Sequence, residues 1–175
     1  IEVVKNIYSG LAIRGNCDVL DMTDPDILEG RLQTISASAL QNPDPIFKPA
    51  TFLPMGNKRD RLWLALDYLY DKVGPMKEPA SLTVGAPFGS VSVRVEECTL
   101  CLACVSACPT GALLDNEERP ELSFVERACV QCGLCRVTCP ESVISLQPQI
   151  EFRDRARLPR ILKQEEPFKC IRCEK

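Results

Sequence analysis

The sequence predicts an α+β fold in which a small α/β region leads into a compact, cysteine-rich domain of short strands and short helices. Three patterns carry that expectation. Before residue 75, apolar residues recur at helical spacing, as in Val4, Ile7, Tyr8 and Leu11. From Ser90, the alternation of Val91, Val93 and Val95 has the period of a half-buried strand. Eight of the eleven cysteines then fall into two copies of one run, Cys98-x2-Cys101-x2-Cys104-x3-Cys108-Pro109 and Cys129-x2-Cys132-x2-Cys135-x3-Cys139-Pro140, which lie 31 residues apart at every position.

Taken in order, the chain opens with an amphipathic helix running into Gly10, and Ala12 to Met22 reads as a short strand with polar interruptions. Asp24 before Pro25 is a helix start, because proline suits a first turn, and a short helix should pass Gly30. Gln41 to Pro54 holds four prolines and reads as an extended loop. Asn57 is a capable N-cap for a helix with Leu62, Leu66, Leu69, Tyr70 and Val73 on one face, stopped by Gly74-Pro75. Met76 to Gly89 should be irregular. Short strands follow at Ser90 to Val95, Ala112 to Leu114, Leu122 to Val125 and Val143 to Leu146, and each Cys-x3-Cys stretch begins a short helix. Arg153 to Lys163 is basic and reads as a solvated helix or strap, with docking by Arg153, Arg155, Arg157 and Arg160 as the less favoured alternative. The expected division is 1–75, an α/β region ending a larger domain; 76–89, a linker; 90–148, the cysteine-rich domain; and 149–175, a charged tail with a CxxC pair.

Each cysteine run has the spacing that bacterial proteins use to bind a 4Fe-4S cluster. Three thiolates two residues apart can wrap one cube, but the fourth, three residues on, is carried away by the helical turn it begins and serves the other cluster. Cys98, Cys101, Cys104 and Cys139 are therefore expected on the first cluster, and Cys129, Cys132, Cys135 and Cys108 on the second. Paired zinc sites would leave the extra cysteine and the Cys-Pro of each run unexplained. Pro109 and Pro140 should turn the chain away after the fourth cysteine, and Gly133 should allow close backbone approach to the second cluster. Leu100, Leu102, Ala103, Val105, Val130, Leu134, Val137 and Ile144 form the expected apolar sheath. Cys170 and Cys173 read as half of a four-ligand site for zinc or a further metal, completed in a longer chain; free thiols or a redox dithiol are the alternatives. Cys17 reads as a small buried or free thiol, with a ligand role as its alternative.

Composition narrows the function. The formal charge of −3 becomes roughly −7 with eight thiolates and two oxidised cluster cores, which disfavours nucleic acid as a partner. No histidine occurs, so Rieske ligation and Ser/His or Cys/His catalytic arrangements are excluded. No apolar run reaches membrane-span length and the N-terminal residues show no basic region followed by an apolar stretch, so a cytoplasmic protein without membrane insertion is expected. A first residue other than Met and an end at Cys173-Glu174-Lys175 suggest a fragment.

Residues 90 to 148, about a third of the chain, resemble the two-cluster bacterial ferredoxins in these runs. The resemblance implies a ferredoxin-like two-cluster 4Fe-4S domain. The whole chain is similar to the C-terminal part of long bacterial ferredoxin-type proteins in which a hydrogenase-delta-subunit-like α/β region precedes such a domain. That wider likeness rests on Phe52-Leu53-Pro54-Met55-Gly56, on Gly85-Ala86-Pro87-Phe88-Gly89 and on Glu166 to Cys173. A cube held by four cysteines has no open iron for substrate, and the sequence offers no phosphate loop, carboxylate pair or nucleophile–base set, so no catalytic residue is assigned. Electron transfer between redox partner proteins is the expected function, as a carrier or as a relay domain of a larger oxidoreductase. The alternatives are a subunit of a disulfide- or hydrogen-linked redox enzyme, and clusters with a structural or docking role.

Overall fold

A computed structural model describes residues 1–13, 24–41, 50–53, 55–74, 76 and 78–167. The chain forms two compact units, Ile1–Pro75 and Met76–Lys175.

The described part of the first unit is helical. Helix α1 (Glu2–Gly10) follows the apolar spacing and buries Ile7, with Leu11 fully enclosed just beyond it. Helix α2 (Pro25–Gln41) starts where expected, with the Asp24 carboxylate accepting from the Asp26 amide at 3.0 Å. It runs 17 residues rather than stopping soon after Gly30, since one glycine costs only about 1 kcal/mol in a helix. The Thr34 and Ser38 hydroxyls donate back to the carbonyls of Gly30 and Thr34. Helix α3 (Lys58–Val73) begins in a capping box in which Asn57 accepts from the amides of Arg59 and Asp60 while Asp60 accepts from the Asn57 amide. Its buried face carries Trp63 and Leu66, whereas Leu62 is exposed. Leu66 is buried and Leu69, Tyr70 and Val73 are half-buried, as the stripe expects, with Trp63 in place of Leu62 at its start; the indole has more apolar area to remove from water. Among the described residues of this unit no strand occurs; most of the strand expected at Ala12 to Met22, and much of the Gln41 to Pro54 loop, lie outside the described residues.

The second unit contains two three-stranded antiparallel sheets. In one, β5 (Ile144–Ile150) lies between β1 (Ala80–Ser81) and β2 (Gly89–Val93), with Val91 opposite Leu146 and Val93 opposite Ile144. In the other, β4 (Glu121–Phe124) lies between β3 (Leu113–Asp115) and β6 (Arg160–Gln164), with a register shift between Leu122 and Ser123. The 31-residue repeat of the sequence is a repeat of structure. A 3-10 turn at Val95–Glu97 recurs at Glu126–Ala128, and helix α4 (Ala103–Ser106) recurs as α5 (Leu134–Thr138). Val91, Leu113, Leu122, Phe124, Val143 and Ile144 form one core with Cys104, Cys129 and Cys135.

The basic stretch after β5 takes the strap form of the expectation rather than the helix. It makes a 3-10 turn at Asp154–Ala156 and then β6, which pairs with β4. Its arginines have partners that the linear sequence hides. Glu151, only 3% exposed, accepts from the Arg153 side chain at 2.7 and 2.8 Å, from the Arg153 amide at 3.0 Å, and from Arg155. Arg160 donates to Ser90 Oγ and to the Val91 carbonyl at 2.9 Å and stacks 5.1 Å from the Phe124 ring, tying β6 to β2.

Burial alone would raise the Glu151 carboxyl, but the Arg153 and Arg155 hydrogen bonds outweigh it and hold the group below the usual carboxylate range. A depressed folded-state pKa stabilises above the unfolded value and stops doing so as pH falls through the folded value. Glu151→Gln should therefore destabilise the protein at pH 7 by about 1.5–3 kcal/mol, the range for hydrogen bonds to charged groups. Chemical unfolding of variant and parent across pH checks this: the gap should be full above about pH 4.3 and shrink below it.

Candidate metal centre

Each 3-10 turn delivers its first cysteine to the head of a loop, and each short helix carries the third. Two cavities result. The first, about 350 Å³ including its open mouth, is lined by Cys98, Cys101, Cys104 and Cys139, with Leu100, Leu102, Leu122, Val143 and Ile144 among its apolar walls. The second, about 320 Å³ on the same measure, is lined by Cys108, Cys129, Cys132 and Cys135, with Val91, Leu113, Phe124 and Leu146. Each cavity thus gathers three cysteines of one run and the last cysteine of the other. Cys104, Cys129 and Cys135 are buried, whereas Cys101 and Cys132 reach the surface.

The loops bend around these cavities at a cost. Leu100 and Leu102 have φ of 53° and 58°, and Gln131 and Gly133, at the same repeat positions, have 54° and 81°. Left-handed geometry costs a non-glycine residue roughly 1–2 kcal/mol, so three side chains are held in strain by the packing around them. Alternation of this kind turns successive amides toward one concavity, as anion-binding nests do. The Gln131 amide lies 3.4 Å from Cys129 Sγ and the Ala112 amide 3.2 Å from Cys108 Sγ. After each fourth cysteine the chain turns away through Gly111 or Ser142, again equivalent and again left-handed, with amides returning to the carbonyls of Cys108 and Cys139.

Burial pushes the Cys104 thiol up to about 11, and also raises Cys129 and Cys135. For Cys108, burial is outweighed by hydrogen bonds from the backbone of Leu113, Thr110 and Ala112 and from the Thr110 side chain, which lower it. Thiols this hard to ionise in apolar surroundings would become thiolates only as a metal binds and displaces their protons to solvent.

The donor chemistry fits iron–sulfur groups. Both sets are all sulfur, soft and walled by apolar side chains. Each set lines a cavity of about 320 to 350 Å³ including its mouth, a volume rather than a point.

Several expectations change at the level of single residues. Leu134 is 47% and Val137 80% exposed, outside the sheath, because the side of α5 that carries them faces solvent. Strand residues that alternate inward, such as Val91, Leu122 and Leu146, take that role, and their period of two was the signal for it. Among protein atoms, a Cβ at Gly133 would meet only Leu146 Cδ1 at 3.7 Å, so its φ of 81° is the reason for glycine that the polypeptide itself supplies. Close approach between protein atoms occurs at Gly89, where a Cβ would collide with the Gln131 side chain and the Gln147 carbonyl. Gln131, Thr110 and Glu141 line the cavities and were not singled out from the sequence. Cys17, Cys170 and Cys173 lie outside the described residues.

Residues 97–144 match the family model of a 4Fe-4S dicluster domain. A stretch of 40 residues is 42% identical to the aliphatic sulfonate oxidoreductase, polyferredoxin-like subunit of Pyrococcus furiosus, and the match covers 23% of each chain. Less than a quarter of that relative's length is therefore spanned. These likenesses support a ferredoxin-type domain with 4Fe-4S clusters and point to electron transfer, which implies redox partners. Among the described residues no helix is long and apolar enough to cross a membrane.

The two glycines separate strain from collision. Gly133→Ala should cost about 1 kcal/mol, from backbone geometry alone. Gly89→Ala should cost more, up to about 3 kcal/mol, since it must push backbone and Gln131 apart. Guanidinium unfolding of the two variants checks the order, and a cheaper Gly89→Ala would mean that β2 moves freely.

Proposed function

We propose that this chain transfers electrons through two 4Fe-4S clusters, one held by Cys98, Cys101, Cys104 and Cys139 and the other by Cys129, Cys132, Cys135 and Cys108. The observation that carries the reading is the make-up of the two cavities, each lined by four thiols with the fourth drawn from the other run. When bound by four thiolates, such a cube has no open iron and exchanges one electron, at a potential set by charge, hydrogen bonds to sulfur and solvent exposure. The chain's own residues account for the rest. The thiolates fix the two sites side by side, the strand residues keep water from the inner faces, and the nest amides stabilise negative charge on sulfur. Cys101 and Cys132, at the surface, give each site an edge that a donor or acceptor can approach.

Within this reading the chain is a ferredoxin-type carrier or, as the preferred form, a relay domain of a larger oxidoreductase. The printed name of the Pyrococcus furiosus relative, a polyferredoxin-like subunit of an oxidoreductase, supports the second form. The likeness of residues 1–75 to a hydrogenase-delta-subunit region belongs to the same proposal.

Anaerobically purified protein should contain about eight iron and eight sulfide per chain, both sites reducible by dithionite. About four iron, with zinc making up the difference, would overturn the reading. Cys139→Ala should convert the site of Cys98, Cys101 and Cys104 to a 3Fe-4S form visible by EPR in the oxidised protein. Damage confined to the site of Cys129, Cys132 and Cys135 would show that the ligands do not cross.

A further inference from the structure

The repeat makes the two cavities equivalent in backbone, yet their polar linings are not alike. At one repeat position the first cavity has Leu100 and the second has Gln131; at another the first has Glu141 and the second has Thr110. Gln131 is held in place. Its Nε2 donates to the Ser90 carbonyl at 3.0 Å and lies 3.5 Å from Cys129 Sγ, in the space that Gly89 leaves by lacking a Cβ. The strand carbonyl engages one amide hydrogen, so the other is free to point at sulfur. Thr110 Oγ1 lies 3.7 Å from Cys108 Sγ. Leu100, in the first cavity, has no such hydrogen to offer, and the exposed Glu141 is among the residues that line it. Two cations also act on that side, Arg94 on Cys139 and Lys163 on Cys98, each while paired with a carboxylate, Arg94 with Glu97 at 2.7 Å and Lys163 with Glu165 at 2.8 Å. Backbone donors inside the helical turns, from Val105 to Cys104 and from Arg136 to Cys135, are common to both sites and do not separate them.

Reduction adds one negative charge that spreads onto the thiolate sulfurs. A donor aimed at sulfur favours that state, and a carboxylate beside it opposes it. We infer that Gln131 and Thr110 raise the midpoint potential of the site of Cys108, Cys129, Cys132 and Cys135, and that Glu141 lowers that of the other, so the pair is graded and holds its electron at the second site. The inference rests on the reading of both sets as 4Fe-4S sites. Passage of the electron from first to second oxidises one site and reduces the other by one equivalent, with no bond made or broken and no proton moved. Gln131 is a positioning and tuning residue for this step.

Redox titration of the full anaerobic chain, followed by EPR and visible absorption, tests the grading with variants that exchange repeat partners, Gln131→Leu and Glu141→Thr. The parent should show two midpoints. Gln131→Leu should lower the upper one, by about tenfold in the one-electron equilibrium or 59 mV, and leave the lower in place. Glu141→Thr should raise the lower midpoint alone. Iron analysis separates the two levels of failure: much less than eight iron in the parent sinks the cluster reading itself. With about eight iron bound, a single shared midpoint, or a Gln131→Leu shift confined to the lower midpoint, overturns the grading. Should Gln131→Leu lose iron, Glu141→Thr decides, because Glu141 is exposed and its replacement leaves the thiols' hydrogen bonds intact.

Discussion

Two sets of four thiols must each converge from segments 31 residues apart, and the architecture of the second unit answers that demand. A cysteine at the end of one short helix can reach the far cavity only if the two halves pack face to face. The strands that enforce this packing, β2 against β5 and β3 against β4, are the first and last elements of each half. Neither half can bury its own cysteines alone. The core shows the same dependence, since Val91 and Leu113 of one half and Leu122, Phe124, Val143 and Ile144 of the other form one cluster with the cysteines. In so small a domain, inorganic groups of the kind proposed would supply bulk that side chains do not.

Around that minimal duplicated unit, the chain adds a strand to each sheet. The addition on β4 is held by its backbone ladder, by Leu162 against the core and by charged side chains. Glu151 sits where β5 ends and binds two arginines, which turns the chain back on itself, and Arg160 then spans from β6 to the Ser90 and Val91 end of β2. Lys163 reaches the Val95 carbonyl, one turn ahead of Cys98. The tail therefore braces the strand that leads into the first cysteine run. Its positive charges are occupied within the fold, which leaves less of it available as a basic docking face than its composition implies.

Much of this was legible in the sequence because the signals are local. The cysteine spacing, the valine alternation and the Asn57 cap each describe a few consecutive residues, and α3, α4, α5 and the short strands follow from them. What escaped reading depends on distant partners. Arg153, Arg155 and Arg160 look like a wet charged run until Glu151 folds back and Ser90, 70 residues away, comes within reach. Gln131 looks like one polar residue in an apolar loop until Gly89 and Ser90 make a slot for its amide. Leu62 rather than Trp63 seemed to lie on the inner stripe of α3 because helical spacing tolerates either, and only packing decides. In the first unit the strand expectation fell largely on residues outside those described, and the helices there are the part that periodicity could identify.

The register that places Gly89 opposite Pro148 brings the beginning and end of the duplicated segment side by side, while the halves are joined at the other end by the loop of residues 116–120. Topologically the segment is a closed ring with one cut. Moving the cut from the β2–β5 edge to that loop would reverse the order of the halves along the chain and leave every strand pairing between them in place. The strand pairing thus does not depend on which cysteine run comes first, and side-chain differences such as Leu100 against Gln131 and Thr110 against Glu141 distinguish the halves whichever leads.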